Sequence, residues 1–249
     1  MAAILPGEGK RGIGDHPLIA PEVTQTIFTN GRSFCRFTTM TADGRLLRGD
    51  RTRTAVLDRA LLLATTDGLE GLSLGQLAEA LGISKSGLFA HWRSKESLQL
   101  AVIDHARRQW IEEVIQPALA APRGVRRLWR VHRLRLAFYE AGRLPGGCFF
   151  ANANFEFNVR PGAVRDRLGA QLADWMAFLT GLAAEAVAAG DLRPEADPTA
   201  TAYLIESLGV CAVMQAPVLG PDVYQHARDA LLAHLRSLAT DPTTLTELT

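Results

Sequence analysis

The stretch Ser73–Trp92 constrains the fold of this chain more than any other, because it predicts two short helices joined at a glycine. In its first part, apolar residues recur at helical spacing between a serine and a glycine: Leu74, Leu77, Ala78 and Leu81. Ser73 is expected to cap this helix, with Gln76 as the second half of a capping box. Gly82 is the residue type that adopts a left-handed turn at least cost, so we predict that the helix ends there.

The second part of the stretch predicts a helix over residues 84–91 with one buried and one open face. Ser84 is expected to be its N-cap. Leu88 and Trp92 lie one turn apart and are expected to point inward. The residues left on the outer face are Lys85, Ser86, Phe89 and Arg93. Two helices divided in this way around a glycine are typical of a helix-turn-helix, whose second helix enters the major groove of DNA.

The charge distribution favours a polyanionic partner for this part of the chain only. The 249 residues carry a net charge of +1. Residues 45–108 hold 10 Lys/Arg against 7 Asp/Glu, a net charge of +3, and the remainder nets −2. Because positive charge attracts the phosphate backbone, residues 45–108 are the expected region of DNA contact.

Cysteine usage and the apolar runs predict a cytoplasmic protein with no membrane partner. Cys35, Cys148 and Cys211 are odd in number and widely separated, which suits free thiols in a reducing compartment better than a disulfide framework. The first residues lack the apolar core of a signal peptide. The longest strongly apolar run, 207–220, is too short to span a bilayer.

Outside the helix-turn-helix, the chain also reads as helical. Residues 1–50 lack periodicity and are expected to form an irregular or disordered extension, unless translation begins at Met40. Four arginines form a basic lead-in that either contacts DNA or is a solvated tail: Arg45, Arg48, Arg51 and Arg53. A first helix is predicted from Thr52 to about Thr66, and a third supporting helix from Ser94, running on through Trp110 to Pro117. Further helices are predicted at about 125–141, 148–159, 163–189, 198–216 and 221–238.

We therefore predict an all-α fold with two domains. Residues 51–105 form an N-terminal three-helix domain that contains the helix-turn-helix. Residues 106–240 form a larger C-terminal helical domain for effector binding and dimerisation, and 241–249 form a C-terminal tail.

Residues 54–102 resemble the DNA-binding domain of the TetR/AcrR family of transcriptional regulators. The resemblance is carried by the segments 72–78, 81–89 and 91–98, and the segments 146–150 and 160–162 look like one branch of that family. It implies a homodimer that binds palindromic double-stranded operator DNA and releases it when a small apolar or amphipathic effector enters the C-terminal domain. Phe89, Gly87 and Trp92 depart from the residues usual in the family, which are Tyr, Thr and Phe.

Lys85 and Ser86, in the first turn of the recognition helix, are the expected groove contacts. Phe89 is expected to touch a thymine methyl group or a sugar, and Gly87 to let the backbone approach DNA closely. Lys95, with the capping serines, is expected to hold phosphates, whereas His91 either contacts phosphate or is packed. The full predicted DNA-binding set is Arg53, Ser73, Ser84, Lys85, Ser86, Gly87, Phe89, His91 and Lys95.

Aromatic, methionine and polar residues on the C-terminal helices supply the candidates for an effector pocket, although residues of these kinds are more often ordinary core. They are Trp129, His132, Phe149, Phe150, Asn152, Asn154, Phe155, Glu156, Trp175, Met176 and Met214.

The last two helices carry apolar stripes that are expected to bury themselves against a second copy in a four-helix interface. The predicted interface residues are Leu204, Leu208, Cys211, Tyr224, Ala227, Leu231 and Leu235.

Two alternatives stay open on the sequence. Cys148 follows two glycines beside aromatic residues, so a regulator that senses thiol-reactive compounds is one. The other is an enzyme with an incidental helix-turn-helix, but the chain has no metal-ligand cluster, nucleophile motif or paired catalytic carboxylates. We expect no enzymatic activity, cofactor or metal.

Overall fold

The structure, a computed structural model, describes residues 44–241, 243 and 245, with side chains from Thr52 onward. Predictions for residues 1–43, including those on Met40 and Cys35, lie outside the described residues. The side chains of Arg45, Arg48 and Arg51 do so as well.

The described part of the chain is all-α, as predicted, apart from an isolated β-bridge between Leu192 and Ala239. The helices are α1 (Gly44–Thr66), α2 (Leu74–Leu81), α3 (Lys85–His91), α4 (Lys95–Trp110), a π-helical segment (Ile111–Ile115), α5 (Gln116–Leu119), α6 (Val125–Glu140), α7 (Phe149–Phe157), α8 (Ala163–Ala188), α9 (Pro198–Leu219) and α10 (Asp222–Leu238).

Two helix ends differ from the prediction. Helix α1 begins at Gly44 and not at Thr52, because the intervening arginines and leucines are good helix formers with no proline among them. Helix α9 continues through Pro217 to Leu219. Pro217 has no backbone N–H and removes only one hydrogen bond, close to the end of the helix. The loss of that single bond does not interrupt α9.

The core around the helix-turn-helix extends beyond residues 51–105. It joins buried residues of α1 to α4, such as Leu61, Leu77 and Leu98, to Phe149 of α7 and Leu168 of α8. The predicted boundary at 105/106 falls inside α4, which is one continuous helix. The first helices therefore pack directly on the C-terminal part.

A second core is built from α6, α8, α9 and α10, and it also holds Leu245, which is fully buried. This corrects the prediction of a tail over 241–249, because at least one of its side chains is part of the core. A third, smaller cluster around Tyr139 and Cys148 joins α6 and the start of α7 to α9 and α10.

Helix α7 is tied to the N-terminal helices by hydrogen bonds as well as by packing. Asn152 Nδ2 donates to the carbonyl of Thr65 at the end of α1, at 3.3 Å. The Glu156 carboxylate accepts from the backbone N–H groups of Leu69 and Glu70, at 2.7 and 3.0 Å. Helix α7 thus holds the loop that leads into the helix-turn-helix.

Candidate functional site

The caps of the two short helices form as the sequence predicts. The Ser73 side chain accepts from the N–H of Gln76 at 3.1 Å, and that of Ser84 accepts from Gly87 at 3.1 Å. Gly82 has φ 63°, in the left-handed region. The reciprocal capping box is found at Ser94, whose partner is the side chain of Ser97, and not at Ser73. These bonds fix where α3 begins and so which residues stand in its first turn.

Helix α3 has the predicted division of faces. Leu88 is fully buried and Trp92 is 2% exposed, so both anchor the helix to the core. The outward residues are Lys85, Ser86, Gly87, Phe89 and His91. Phe89 is 49% exposed, an unusual position for a phenyl ring in a protein that makes no contact there. The first turn and outer face of α3 therefore form an open surface of the kind that a DNA groove accepts.

Gly87 also has a local role within the recognition helix. A Cβ atom at this position would lie 3.2 Å from Ser84 Oγ, the atom that caps the helix. The absence of a side chain therefore leaves room for the cap, in addition to any close approach to DNA.

Two of the predicted phosphate ligands have partners within the protein. Lys95 Nζ lies 2.8 Å from Glu70 Oε1, and the hydrogen bonds from Lys95 and Gln99 lower the pKa of Glu70. Arg53 lies over the ring of Trp92, with its Cζ 5.4 Å from the centroid, and His91 is packed beside the same ring at 5.5 Å. Lys95 and Arg53 stay accessible, but Lys95 is already paired with Glu70 and the guanidinium of Arg53 already contacts the ring of Trp92.

A second candidate site is a cavity of about 60 Å³ enclosed by α4, the π-helical segment and α6 to α9. Its wall contains four aromatic rings, those of Trp110, Tyr139, Phe150 and Trp175. It adjoins an open groove of about 760 Å³ between α7, α8 and α9, and the two share Ala151, Asn154, Leu172 and Glu206. π-Helical turns are frequent at functional sites, and here the turn lies between Trp110 and Ile115, both of which line the cavity.

A buried arginine, 2% exposed, lies at the centre of the cavity wall. Arg135 donates from Nε to Tyr139 Oη at 3.0 Å, and its Nη1 lies 2.8 Å from Glu206 Oε2 and donates to the carbonyl of Ile205 at 3.3 Å. Trp175 Nε1 donates to the same carboxylate oxygen at 2.7 Å. The guanidinium also lies over the rings of Tyr139 and Trp175. These contacts fix the guanidinium in one orientation.

Burial and charge set the protonation of this network. Burial raises the pKa of Tyr139 well above its ordinary value, against the opposing effect of Arg135. Burial alone would lower the pKa of Arg135, but the Coulombic effects of its neighbours, the carboxylate of Glu206 among them, outweigh it, and the pKa is raised. At neutral pH the phenol is therefore neutral and the guanidinium is charged.

Helix α9 can approach Arg135 because it has a glycine at the contact. A Cβ atom at Gly209 would lie 2.5 Å from Arg135 Nη1 and 2.6 Å from its Nε, which no real side chain permits. The guanidinium occupies that space.

Cys148 lies in the cavity wall and is 7% exposed. Its sulfur accepts hydrogen bonds from Tyr139 Oη at 3.3 Å and from the backbone N–H of Ala151 at 3.4 Å. These bonds give the thiol a structural role as the N-cap of α7.

The structure brings only part of the predicted pocket set together. Phe150, Asn154 and Trp175 line the cavity, and Phe155 lines the groove. The others lie elsewhere. Trp129 and Met176 pack in or against the second core, and His132 and Phe149 are buried. Met214 is exposed, whereas Asn152 and Glu156 form hydrogen bonds to the N-terminal helices. The structure places these residues outside the cavity: neighbouring helices cover most of them, and Met214 lies on the exposed face of α9.

Sequence reasoning missed the polar centre of the cavity, Arg135 and Glu206, and also Arg107, Trp110, Ile115, Tyr139, Gln171 and Leu172. A signal for Arg135 was present. It lies on the same face of α6 as Leu128, His132 and Tyr139, where helical spacing predicts a buried residue. A charged residue on a buried stripe points to a paired or functional group.

The predicted interface set divides in two. Tyr224, Ala227, Leu231 and Leu235 are buried within the protomer by α6 and α9, so they are not available to a second copy, which corrects that part of the prediction. Leu204 and Leu208 are half-buried and Cys211 is exposed. The large apolar side chains of α9 that are exposed are Tyr203, Met214, Val218 and Leu219.

Within the described residues no group of His, Cys, Asp or Glu has an arrangement that could hold a metal ion. By length and composition alone, α9 could cross a membrane, and 28% of its most apolar 18-residue stretch is buried within the protomer. The open part of α9 coincides with the apolar side chains named above.

Comparisons with known proteins match both parts of the chain to one family. Residues 56–102 match the description "Bacterial regulatory proteins, tetR family", and residues 124–231 match "Tetracyclin repressor-like, C-terminal domain". The chain belongs to the TetR family of transcriptional regulators. Comparison with curated protein sequences gives no match.

Solved structures of TetR-family proteins agree with this assignment. A regulator from Chloroflexus aurantiacus J-10-FL superposes with a TM-score of 0.71 at 28% identity, over 78% of this chain and 98% of that one. CifR, solved as a cysteine mutant with 26 bp double-strand operator DNA, has a TM-score of 0.62 at 25% identity, over 73% of this chain and 96% of that one. AibR, in complex with isovaleryl coenzyme A and operator DNA, shares the fold, with a TM-score of 0.58 at 23% identity over 74% and 96%.

Proposed function

We propose that this TetR-family regulator is a homodimeric repressor that binds a palindromic operator through α3 and releases it when a small molecule occupies the cavity beside Arg135. The observation that carries the proposal is the arrangement of α3. Its first turn is capped, its inner face is held by Leu88 and Trp92, and its outer face presents Lys85, Ser86 and Phe89 to solvent.

Two helices connect the cavity to the recognition helix. Helix α4 lines the cavity with Arg107 and Trp110, and its first turns pack against α1 to α3 through Leu98 and Val102. Helix α7 lines it with Phe150 and Asn154, and it holds the loop before α2 through Glu156. A ligand that displaces either helix therefore moves the base on which α3 stands.

Two structural relatives support an operator and an effector of this kind. CifR has been solved with operator DNA, and AibR with both operator DNA and an acyl coenzyme A. The effector of this chain is inferred from its own cavity and not from those ligands.

The test of operator binding uses the DNA beside the protein's own gene. Fluorescence anisotropy with this fragment should give a dissociation constant that rises steeply with salt, because each phosphate contact releases counterions. Lys85→Ala should weaken binding about tenfold and reduce the preference for this fragment over unrelated DNA, as expected for the loss of a groove contact. Arg236→Ala, at the exposed last turn of α10, is the control and should change neither quantity.

Two results would contradict the proposal. One is the absence of any affinity of the wild-type protein for this DNA above its affinity for unrelated DNA. The other is full operator affinity in the Lys85→Ala protein, which would remove α3 as the reading element.

A further inference from the structure

The open edge of the Arg135 guanidinium faces the cavity. Its Nε and Nη1 groups are engaged by Tyr139, Glu206 and the Ile205 carbonyl, and α9 presses on that side through Gly209. Nη2 donates to no residue in the described part of the chain. Nη2 is not one of the fully buried side-chain atoms without a partner, so it keeps accessible surface, and Arg135 is itself part of the cavity wall.

Glu206 offers an acceptor beside this donor. Its Oε2 atom receives both Trp175 Nε1 and Arg135 Nη1, whereas its Oε1 atom accepts no hydrogen bond from the described residues. Glu206 borders both the cavity and the groove. A fixed N–H donor and a fixed carboxylate acceptor thus stand side by side at the inner end of the site.

The charges around the cavity are balanced before any ligand enters. Arg135 is paired with Glu206 at 2.8 Å, and Arg107 lies 3.8 Å from Asp174. A ligand with a net charge would add an uncompensated ion to a mostly apolar wall, and the burial of an unpaired ion opposes binding. An uncharged ligand avoids that cost.

The remaining wall selects for a flat ring. Trp110, Tyr139, Phe150 and Trp175 surround the polar pair, and aromatic rings gain from stacked or edge-to-face contacts. The cavity of about 60 Å³ has room for a polar head group and the adjoining edge of a ring, and the rest of the ligand passes Leu172 into the groove.

From these observations we infer the chemical class of the effector: an uncharged aromatic molecule with an oxygen that accepts from Arg135 Nη2 and an adjacent N–H or O–H that donates to Glu206 Oε1. The inference rests on the proposed function, because it takes the cavity as the effector site.

The test uses three one-ring probes of similar shape, namely benzamide, benzoate and toluene. Benzamide has the acceptor and the adjacent donor, benzoate has the same shape with a charge, and toluene has neither. Titrations followed by tryptophan fluorescence and calorimetry should give an affinity for benzamide at least tenfold above that for either other probe.

A charge-changing variant makes the test independent of probe shape. Glu206→Gln removes the negative charge beside Arg135, so the wall gains a net positive charge and the preference should shift toward benzoate by at least tenfold relative to wild type. Glu185→Gln removes a carboxylate that lies beside Arg123 and Arg127, away from the cavity, and should leave the preference unchanged. Both variants keep the side-chain volume, so the comparison does not depend on deleting the buried arginine.

Three outcomes would overturn the inference: no binding of any probe, tighter binding of benzoate than of benzamide by the wild-type protein, or an unchanged preference in Glu206→Gln. Operator binding is measured on the same samples without probe. Failure of the probes with intact operator binding overturns the ligand class alone, whereas probe binding without operator binding overturns the proposed regulator.

Discussion

Trp92 suits its buried position by its size but not by its hydrogen-bonding group. The indole ring anchors α3, yet its Nε1 is buried and has no hydrogen-bond acceptor within the described residues. A buried donor without a partner costs about 1–3 kcal/mol. The apolar packing of the indole ring must therefore offset the cost of its unpaired N–H group.

We predict that Trp92→Phe changes the free energy of unfolding by less than about 1 kcal/mol, because removal of the unpaired donor offsets the lost apolar contact. Trp175→Phe is the matched control. It should cost more, because Trp175 Nε1 donates to Glu206 at 2.7 Å and the carboxylate would lose that bond. Urea denaturation measures both, and an equal cost for the two substitutions would contradict the explanation.

His132 is buried and neutral. Its Nε2 lies 3.2 Å from the carbonyl of Ala227, and burial, with the nearby charge of Arg135, lowers its pKa from 6.5 to about 3. In the unfolded chain the imidazole takes up a proton as the pH falls below 6.5, whereas in the folded protein it does so only near pH 3. Between these values the unfolded state binds more protons, so acid favours unfolding.

The expected result is a loss of stability of up to about 1.4 kcal/mol per pH unit from this one group as the pH falls from 6.5 toward 4. His132→Gln removes the titrating group and keeps an amide donor for Ala227. Its free energy of unfolding should fall less steeply over the same range in denaturation series at several pH values. Parallel curves for the two proteins would show that His132 does not carry the effect.

Among the elements, α7 connects the two candidate sites most directly. One side of this nine-residue helix lines the cavity, and the other holds the end of α1 and the loop before α2. The Glu156 carboxylate accepts two backbone N–H groups, and each bond to a charged acceptor is worth about 1.5–3 kcal/mol.

Glu156→Gln should therefore loosen this loop without disturbing the cavity. We expect the amide hydrogens of Leu69 and Glu70 to exchange at least tenfold faster in the variant, since an amide side chain has one acceptor oxygen where the carboxylate has two. Glu79→Gln, on the exposed side of α2, should leave those rates unchanged. Hydrogen exchange followed by mass spectrometry or NMR measures the effect, and unaltered exchange in Glu156→Gln would rule out the proposed tie.

The elements show where sequence reasoning succeeds and where it stops. The helices were predictable because caps, glycines and periodicity act over a few residues, as at Ser84 and Gly82. The lining of the cavity was not predictable. The sequence around Glu156 and Phe149, for example, does not show which neighbouring element covers these two side chains. Leu231 and Leu235 have the spacing of an interface stripe, but the same spacing serves the protomer's own core, and only the packing of α6 and α9 distinguishes the two.

At the scale of the whole molecule, α9 carries four of the eight large apolar side chains that are exposed in the described part of the chain, and its outer face is the candidate surface for the proposed dimer. Tyr203, Met214 and Val218 are 69%, 51% and 82% exposed, and with Cys211 they fall on one helical stripe. A second copy related by a two-fold axis would cover the same stripe on both chains and match the symmetry of a palindrome.

Tyr203→Asp should shift the protein from dimer to monomer in sedimentation velocity and weaken operator binding, because a charge buried within an apolar interface is left without water. Val159→Asp places the same charge at another apolar residue, 83% exposed after α7, and should leave the dimer intact. A wild-type protein that sediments as a monomer, or a dimeric Tyr203→Asp protein, would contradict this assignment of the interface.

The contact between Gly209 and Arg135 also has an evolutionary consequence. A side chain at position 209 and an arginine at position 135 need the same space, so a larger residue at 209 requires a change at 135. Among homologous sequences the two positions should covary: those that keep the arginine should keep the glycine, and those with a larger residue at 209 should have lost the arginine. Such a sequence comparison would divide relatives that share this polar centre, and with it the ligand chemistry, from relatives that share only the fold.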